Sequence, residues 1–239
     1  MAELDQNLRD LVIANRILAR EGVVDGYGHV SVRHPDKPER FLLARSRSPE
    51  LVEREDLLEF GPDGEPVKDN APPVYIERFI HAAIYEARPD VQAVVHNHSE
   101  ELIPFGITAR PLRPVFHTAA RIGAEVPVWD IADAFGDTNL LVVNMEQARD
   151  LAARLGGHTV VLMRGHGSAV GQSSLHAAVL TAIYAQVNAR VQMQGMMMGE
   201  VKYLSAGELA AARGLAPRGT LGANRTWEYY RRRAGCDDL

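Results

Sequence analysis

The chain has 239 residues, 46% of them apolar and 24% charged, and a formal net charge of −5. That is enough for one domain, residues 1–239, with a substantial core, and too acidic for a protein that wraps nucleic acid or lies on an anionic membrane. The one cysteine, Cys236, excludes an intramolecular disulfide, and no run of about 18 apolar residues exists to span a membrane.

The opening segment reads as a helix, with Leu4, Leu8, Leu11, Val12 and Leu18 at helical spacing and Gly22 as its stop. It mixes charge with leucines and lacks a signal-peptide core. Short strands follow at His29–Arg33 and Arg40–Ala44, and Gly61-Pro62-Asp63-Gly64 marks a hairpin end within Glu53–Glu65. Pro72-Pro73 precede a helix over Val74–Ala87 with an apolar stripe of Ile76, Phe79, Ile80, Ala83, Ile84 and Ala87, ended by Pro89. Val91–His98 is too short and too β-branched for a helix and reads as a buried strand. Thr159–Met163 is another, closed by Arg164-Gly165-His166-Gly167. Ser173 or Ser174 caps a long helix running to about Met198, and Ser205 with Glu208 forms a capping box for a further one. Helices alternating with strands, without a linker or repeat, give one α/β domain with helices covering a sheet. Cys236 in the tail reads as a solvent-exposed thiol, which suits a reducing cytoplasm.

Three positions carry the chemistry. His96 and His98, two apart on a strand, point to the same face and offer two imidazoles to a metal. Taken alone, His-x-His is as often polar surface. His166 lies between Gly165 and Gly167 at a strand end, where the backbone turns sharply and leaves room for a ligand. Three ligands with one open position is the usual catalytic zinc arrangement. Glu77 falls in the first turn of its helix, where the dipole favours a carboxylate. It reads either as an acid–base group or as a helix-end charge facing water.

Glu77, His96-Asn97-His98 and Arg164-Gly165-His166-Gly167, in that order, resemble the class II aldolase/adducin family. Gly28-His29-Val30-Ser31-Val32-Arg33 and the segment from Ile80 through Val91 into His96 extend the resemblance over about Leu8–Leu204. The resemblance implies a three-layer α/β/α sandwich on a predominantly antiparallel sheet. It implies one divalent metal per subunit on His96, His98 and His166, with an acidic group at Glu77. It also implies a homotetramer with active sites between subunits. Zn²⁺ is the expected ion, with Mn²⁺, Mg²⁺ or Fe²⁺ as alternatives; imidazoles favour the later transition metals.

Departures from that family's sugar-phosphate aldolases narrow the reading. His29 stands where those enzymes carry Asn, Ala44-Arg45-Ser46-Arg47 replaces a small polar turn, and Tyr75-Ile76 replaces two serines before the glutamate. A phosphate against Ile76 would lose hydrogen bonds that a buried anion needs. His29, Arg45, Ser46, Arg47 and Tyr75 suggest instead a site for a small carboxylic acid, because a guanidinium pairs with a planar carboxylate. This texture is similar to the family's decarboxylases of dihydroxyphthalates and carboxylated hydroxymuconic semialdehydes, which work through a metal-stabilised enolate. His117 occupies the place of a proton-donating tyrosine of the aldolases and is a second acid–base candidate, or else a core histidine. Two other readings stand: an aldolase acting on a non-phosphorylated hydroxy-oxo acid or sugar, and a non-catalytic, adducin-like interaction module. His34, His81, His158 and His176 read as structural, with His81 set apart because it lies one helical turn after Glu77.

Overall fold

The described residues make seven short strands: β1 (His29–Arg33), β2 (Phe41–Ala44), β3 (Leu57–Phe60), β4 (Ala93–Asn97), β5 (Val128–Trp129), β6 (Val160–Met163) and β7 (Gly167–Gln172). In the computed structural model, which describes residues 2–214 and 220–239, they form one sheet in the order β3-β2-β1-β4-β7-β6-β5. Every pairing is antiparallel except β5 with β6.

Strand alternation builds a core on each face. Val30, Val95, Leu162 and Val170 face one layer, where Leu11, Ile17 and Leu18 of α1 (Ala2–Arg20) lie. Phe41, Val94, Val161 and Ala169 face the other, against Ile80 and Ile84 of α2 (Arg78–Ala87) and Leu151 and Leu155 of α3 (Met145–Leu155). Val179 and Ile183 of α4 (Leu175–Met198) complete the first layer. This helix is capped by Ser174, whose side chain accepts from the Ala177 amide. The capping box is present too: the Ser205 amide donates to Glu208, and the Glu208 amide to Ser205 Oγ, at the start of α5 (Ala206–Gly214). Trp227 and Tyr230 of α6 (Thr220–Arg233) pack on the α1–α4 layer. The result is the expected three-layer α/β/α arrangement around a mostly antiparallel sheet.

Three expectations need correction. The helix read from Val74 begins only at Arg78. Val74 is held extended by a bridge to Arg45, and the Ser46 amide donates to the Pro73 carbonyl, so Glu77 becomes the N-cap residue instead of lying inside the first turn. The strand read from Val91 to His98 is trimmed to Ala93–Asn97, because Val91 closes a turn onto Arg88. Cys236 is buried, not exposed: the chain end folds back on α6, and the Arg231 guanidinium takes the carbonyls of Cys236, Asp237 and Leu239. No helix among the described residues is long and apolar enough to cross a membrane.

The connection between β6 and β7 positions His166. Gly165 takes a positive φ of 65°, a region that favours glycine. Gly167 faces β4 so closely that an added Cβ would lie 2.0 Å from the Asn97 carbonyl oxygen and 3.0 Å from His98 Cα. Gly157, by contrast, has open space where its Cβ would be. Gly167→Ala is therefore expected to lower stability by about 1–3 kcal/mol or more, as for overpacking, and to weaken metal binding. Gly157→Ala should change neither. Thermal melts with and without metal check this, and an unaltered Gly167→Ala protein would contradict it.

Candidate metal centre

Glu77, His96, His98 and His166 each offer one ligand atom, and these four atoms lie within 4.8 Å of one another. The elements bring them together from three directions: Glu77 at the start of α2, His96 and His98 at the end of β4, and His166 in the β6–β7 turn. Nε2 of His98 sits 3.0 Å from Nε2 of both His96 and His166. Glu77 Oε2 lies 3.3 Å from His96 Nε2 and 3.4 Å from His166 Nε2.

The outer nitrogens decide what this cluster can do. His96 Nδ1 is 3.1 Å from the Ser168 carbonyl oxygen, and His166 Nδ1 is 2.9 Å from that of Leu140. A carbonyl oxygen only accepts, so both rings carry a proton on Nδ1, and the neutral form of each turns a bare Nε2 inward. His98 Nε2, if protonated, has one proton to give, and its other contact then sets lone pair against lone pair. A cation relieves both contacts. Four-coordinate zinc with N–Zn bonds of about 2.0–2.1 Å separates its nitrogens by roughly 3.3 Å, close to what is found. Carbonyls behind ligating imidazoles are the usual arrangement that fixes tautomer and raises basicity. The residues fit a divalent ion.

Glu77 is buried, and its Oε1 accepts from the Val142 amide at 3.0 Å. Burial alone would raise its pKa. The adjacent His96 and His166 more than offset that and hold the carboxyl well below the usual carboxylate range. Burial and its neighbouring imidazoles lower His98 to about 4.

A cavity of about 310 Å³ opens beside the cluster, with Glu77, His98, His29, Tyr75, Ser46 and Arg47 in its wall. The Tyr75 ring lies 4.6 Å from the His29 ring, but its hydroxyl is turned away and donates to the Arg47 carbonyl; burial pushes this phenol up to about 12. Arg45 is absent from the wall, with its Nε 2.7 Å from Oδ1 of buried Asp56. Arg47 reaches the cavity while sharing the same Asp56 through Oδ2 at 2.7 Å. His117 is exposed at the head of a 3-10 turn, His117–Ile122, outside both the cluster and the wall, and its Nε2 contacts Thr118 Oγ1. A larger cavity of about 570 Å³, near Leu112 and Val126, shares no residue with the cluster.

Sequence reasoning missed the backbone around these four side chains. The Leu140 and Ser168 carbonyls and the Val142 amide left no mark in the sequence, since any residue supplies them. Leu140 has a φ of 66°, which is uncommon for a branched side chain and typical of functional loops. It also missed that His81 lies behind His29, with Nε2 2.6 Å from His29 Nδ1. Glu77, His81 and Tyr85 recur every four residues from the N-cap into α2, and that spacing was a usable signal.

The model of the class II aldolase and adducin N-terminal domain matches residues 9–193. Decarboxylase tropJ of Talaromyces stipitatus is 37% identical, over 80% of this chain and 77% of the relative. The 3,4-dihydroxyphthalate decarboxylase of Arthrobacter keyseri is 30% identical, over 77% of this chain and 76% of the relative. Among solved structures, the L-fuculose 1-phosphate aldolase from Glaciozyma antarctica superimposes with a TM-score of 0.78 at 24% identity, covering 98% of this chain and 92% of that one, a likeness of fold.

Binding that favours the folded chain at a hundredfold excess over Kd adds about 2.7 kcal/mol of stability. A chelator should therefore lower the Tm of the metal-loaded protein. His96→Ala, His98→Ala and His166→Ala should each lose most of the metal and most of that chelator effect. Full metal content in any of the three, measured by elemental analysis, would contradict the assignment.

Proposed function

The chain belongs to the class II aldolase and adducin family, and we propose that within it the protein is a metal-dependent decarboxylase of an aromatic or ring-cleavage hydroxy acid. The observation that carries this reading is the cavity wall beside Glu77 and His98: an aromatic ring, an imidazole and a half-neutralised guanidinium. A flat, unsaturated acid packs its ring on Tyr75 and sets a carboxylate near Arg47. Ser46 and Ser48 also bring hydroxyls to this edge. Because Asp56 already holds Arg47, the edge suits a singly charged carboxylate better than a dianionic phosphate. The names of the similar decarboxylases support the same reaction class.

His96, His98 and His166 would hold the divalent ion, Zn²⁺ being the best match to an all-imidazole set; it supplies a Lewis acid that stabilises negative charge on a substrate oxygen. Glu77, ionised and fixed by Val142, takes the proton of the substrate hydroxyl. It then returns that proton to the carbon bearing the carboxylate, which gives the oxo tautomer. The bond to the carboxylate breaks, its electron pair flows to the oxygen, and CO₂ leaves. Water restores the proton on that oxygen as the product departs. His29 and Arg47 orient the acid, and the Tyr75 ring keeps water from one face. Arg45 acts through Asp56, by steadying the loop that carries Arg47.

The same groups serve an aldolase acting on a non-phosphorylated hydroxy-oxo acid, and the products separate the two. A non-catalytic, adducin-like role leaves the complete four-group cluster without a purpose. Assembly as a homotetramer fits the exposed apolar end of α4, where Met197 and Met198 are 80% and 90% exposed. In such an assembly the exposed His117 is available to a neighbouring copy's cavity as a proton donor.

Three measurements follow. The zinc-loaded protein, screened by mass spectrometry against dihydroxyphthalates, carboxy-hydroxymuconate-type acids and ketose 1-phosphates, should release CO₂ from an acid and leave the sugar phosphates intact. Glu77→Gln should keep bound metal but lower turnover about 10²-fold or more. Efficient cleavage of a ketose phosphate with every acid untouched would overturn the decarboxylase reading. Light scattering at micromolar concentration should give about four times the chain mass of 26.3 kDa; a monomer would contradict the assembly.

A further inference from the structure

Behind His29 runs a line of buried polar groups that neither the metal nor the proton transfer uses. His29 Nδ1 lies 2.6 Å from His81 Nε2, His81 Nδ1 lies 2.6 Å from Ser31 Oγ, and Ser31 Oγ lies 2.8 Å from the Tyr85 hydroxyl. His81 and Ser31 are fully buried, and His29 and Tyr85 nearly so. The two strand residues come from alternate positions of β1, on the face that α2 covers. His81 and Tyr85 are one turn apart on α2. His29 alone reaches the cavity wall.

We propose that Tyr85, Ser31 and His81 form a one-way hydrogen-bond chain that fixes His29 with its proton on Nε2, so that this ring meets the substrate as a donor to an anionic oxygen. The direction follows from satisfying each buried proton. Among the described residues, Ser31 Oγ is the one acceptor bonded to the Tyr85 hydroxyl. Tyr85 therefore donates to Ser31; the reverse would leave a buried hydroxyl proton without an acceptor, which folded proteins rarely tolerate. Ser31, having accepted, gives its proton to His81 Nδ1. His81 lies in a dry environment that keeps an imidazole neutral, so it has one proton, now on Nε2, and gives it to His29 Nδ1. His29 Nδ1 is an acceptor, and its own proton sits on Nε2, the nitrogen left for the cavity.

The chain holds a donor in place and does not drain protons from it. Shifting every proton one step toward the cavity would leave a tyrosinate at Tyr85, and burial raises that phenol well above its ordinary value. His29 thus acts as a fixed hydrogen-bond donor to a carboxylate or phenolate oxygen, while Glu77 remains the group that moves a proton. His81, Ser31 and Tyr85 are positioning residues that act through His29. This deepens the decarboxylase reading, on which the choice of an acid as ligand rests, but the tautomer itself is independent of substrate.

Neutron diffraction from perdeuterated, zinc-loaded protein tests the chain without ligand. Deuterium is expected on His29 Nε2, on His81 Nε2, on Ser31 Oγ toward His81 and on the Tyr85 oxygen toward Ser31. Deuterium on His29 Nδ1 would overturn the proposal. Ser31→Ala, which removes the donor to His81, should bind a hydroxybenzoate about 10-fold or more weakly, keep its metal, and bind the corresponding methyl ester as the unaltered protein does. An equal loss for acid and ester would mark Ser31 as merely structural and contradict the chain. Since the neutron map is read without substrate, it stands or falls apart from the CO₂ assay.

Discussion

Two imidazole nitrogens, of His96 and His166, each about 3 Å from that of His98, are the constraint from which the rest of the centre follows. Both are bare in the neutral form because their rings give the outer proton to backbone carbonyls, and that of His98 has one proton at most for two neighbours. Neutral imidazoles do not gather this way unless something holds them. Here a β4 end, a glycine-flanked turn and the Leu140 loop do so, each through backbone geometry. The absent Cβ of Gly167 lets the turn press against β4, and the left-handed Leu140 aims its carbonyl at His166. The site is built on strand ends, which fix side-chain directions more tightly than free loops.

Charge is rationed around this centre. Glu77 supplies one negative group beside the imidazoles, and buried Asp56 balances two arginines that would otherwise crowd the cavity edge. A cavity edge with two unpaired guanidinium groups would bind any polyanion. With Arg45 committed and Arg47 shared, the remaining recognition is directional: a ring wall, a few donors and a metal position. In the proposed decarboxylase reading, that arrangement would suit a planar carboxylate group better than a phosphate ester.

Much of the candidate centre was legible because its groups are side chains at diagnostic spacings. His96 and His98 share a strand face, and His166 sits between glycines that the turn requires. Alternating helix and strand patterns made an α/β domain with helices covering a sheet legible, and the resemblance to the family implied its three-layer form. What stayed hidden is mostly backbone or tertiary. β7, with Gly-Ser-Ala-Val-Gly-Gln, has little β-branched character and is a strand because β4 and β6 flank it. The delayed start of α2 depends on Val74 bridging Arg45, a contact distant in sequence. Arg45 and Arg47 looked alike in sequence, and only the position of Asp56 separates the one in the cavity from the one behind it. Cys236 looked like tail surface, and only the Arg231 clasp shows why it is buried.

Anomalous diffraction at the zinc edge from metal-loaded crystals tests the central claim most directly. The account predicts a single strong peak per chain, about 2.0–2.1 Å from Nε2 of His96, His98 and His166, with Glu77 Oε1 still on the Val142 amide. A peak bound through an Nδ1 atom, or one at His34, His158 or His176 with the triad empty, would contradict it.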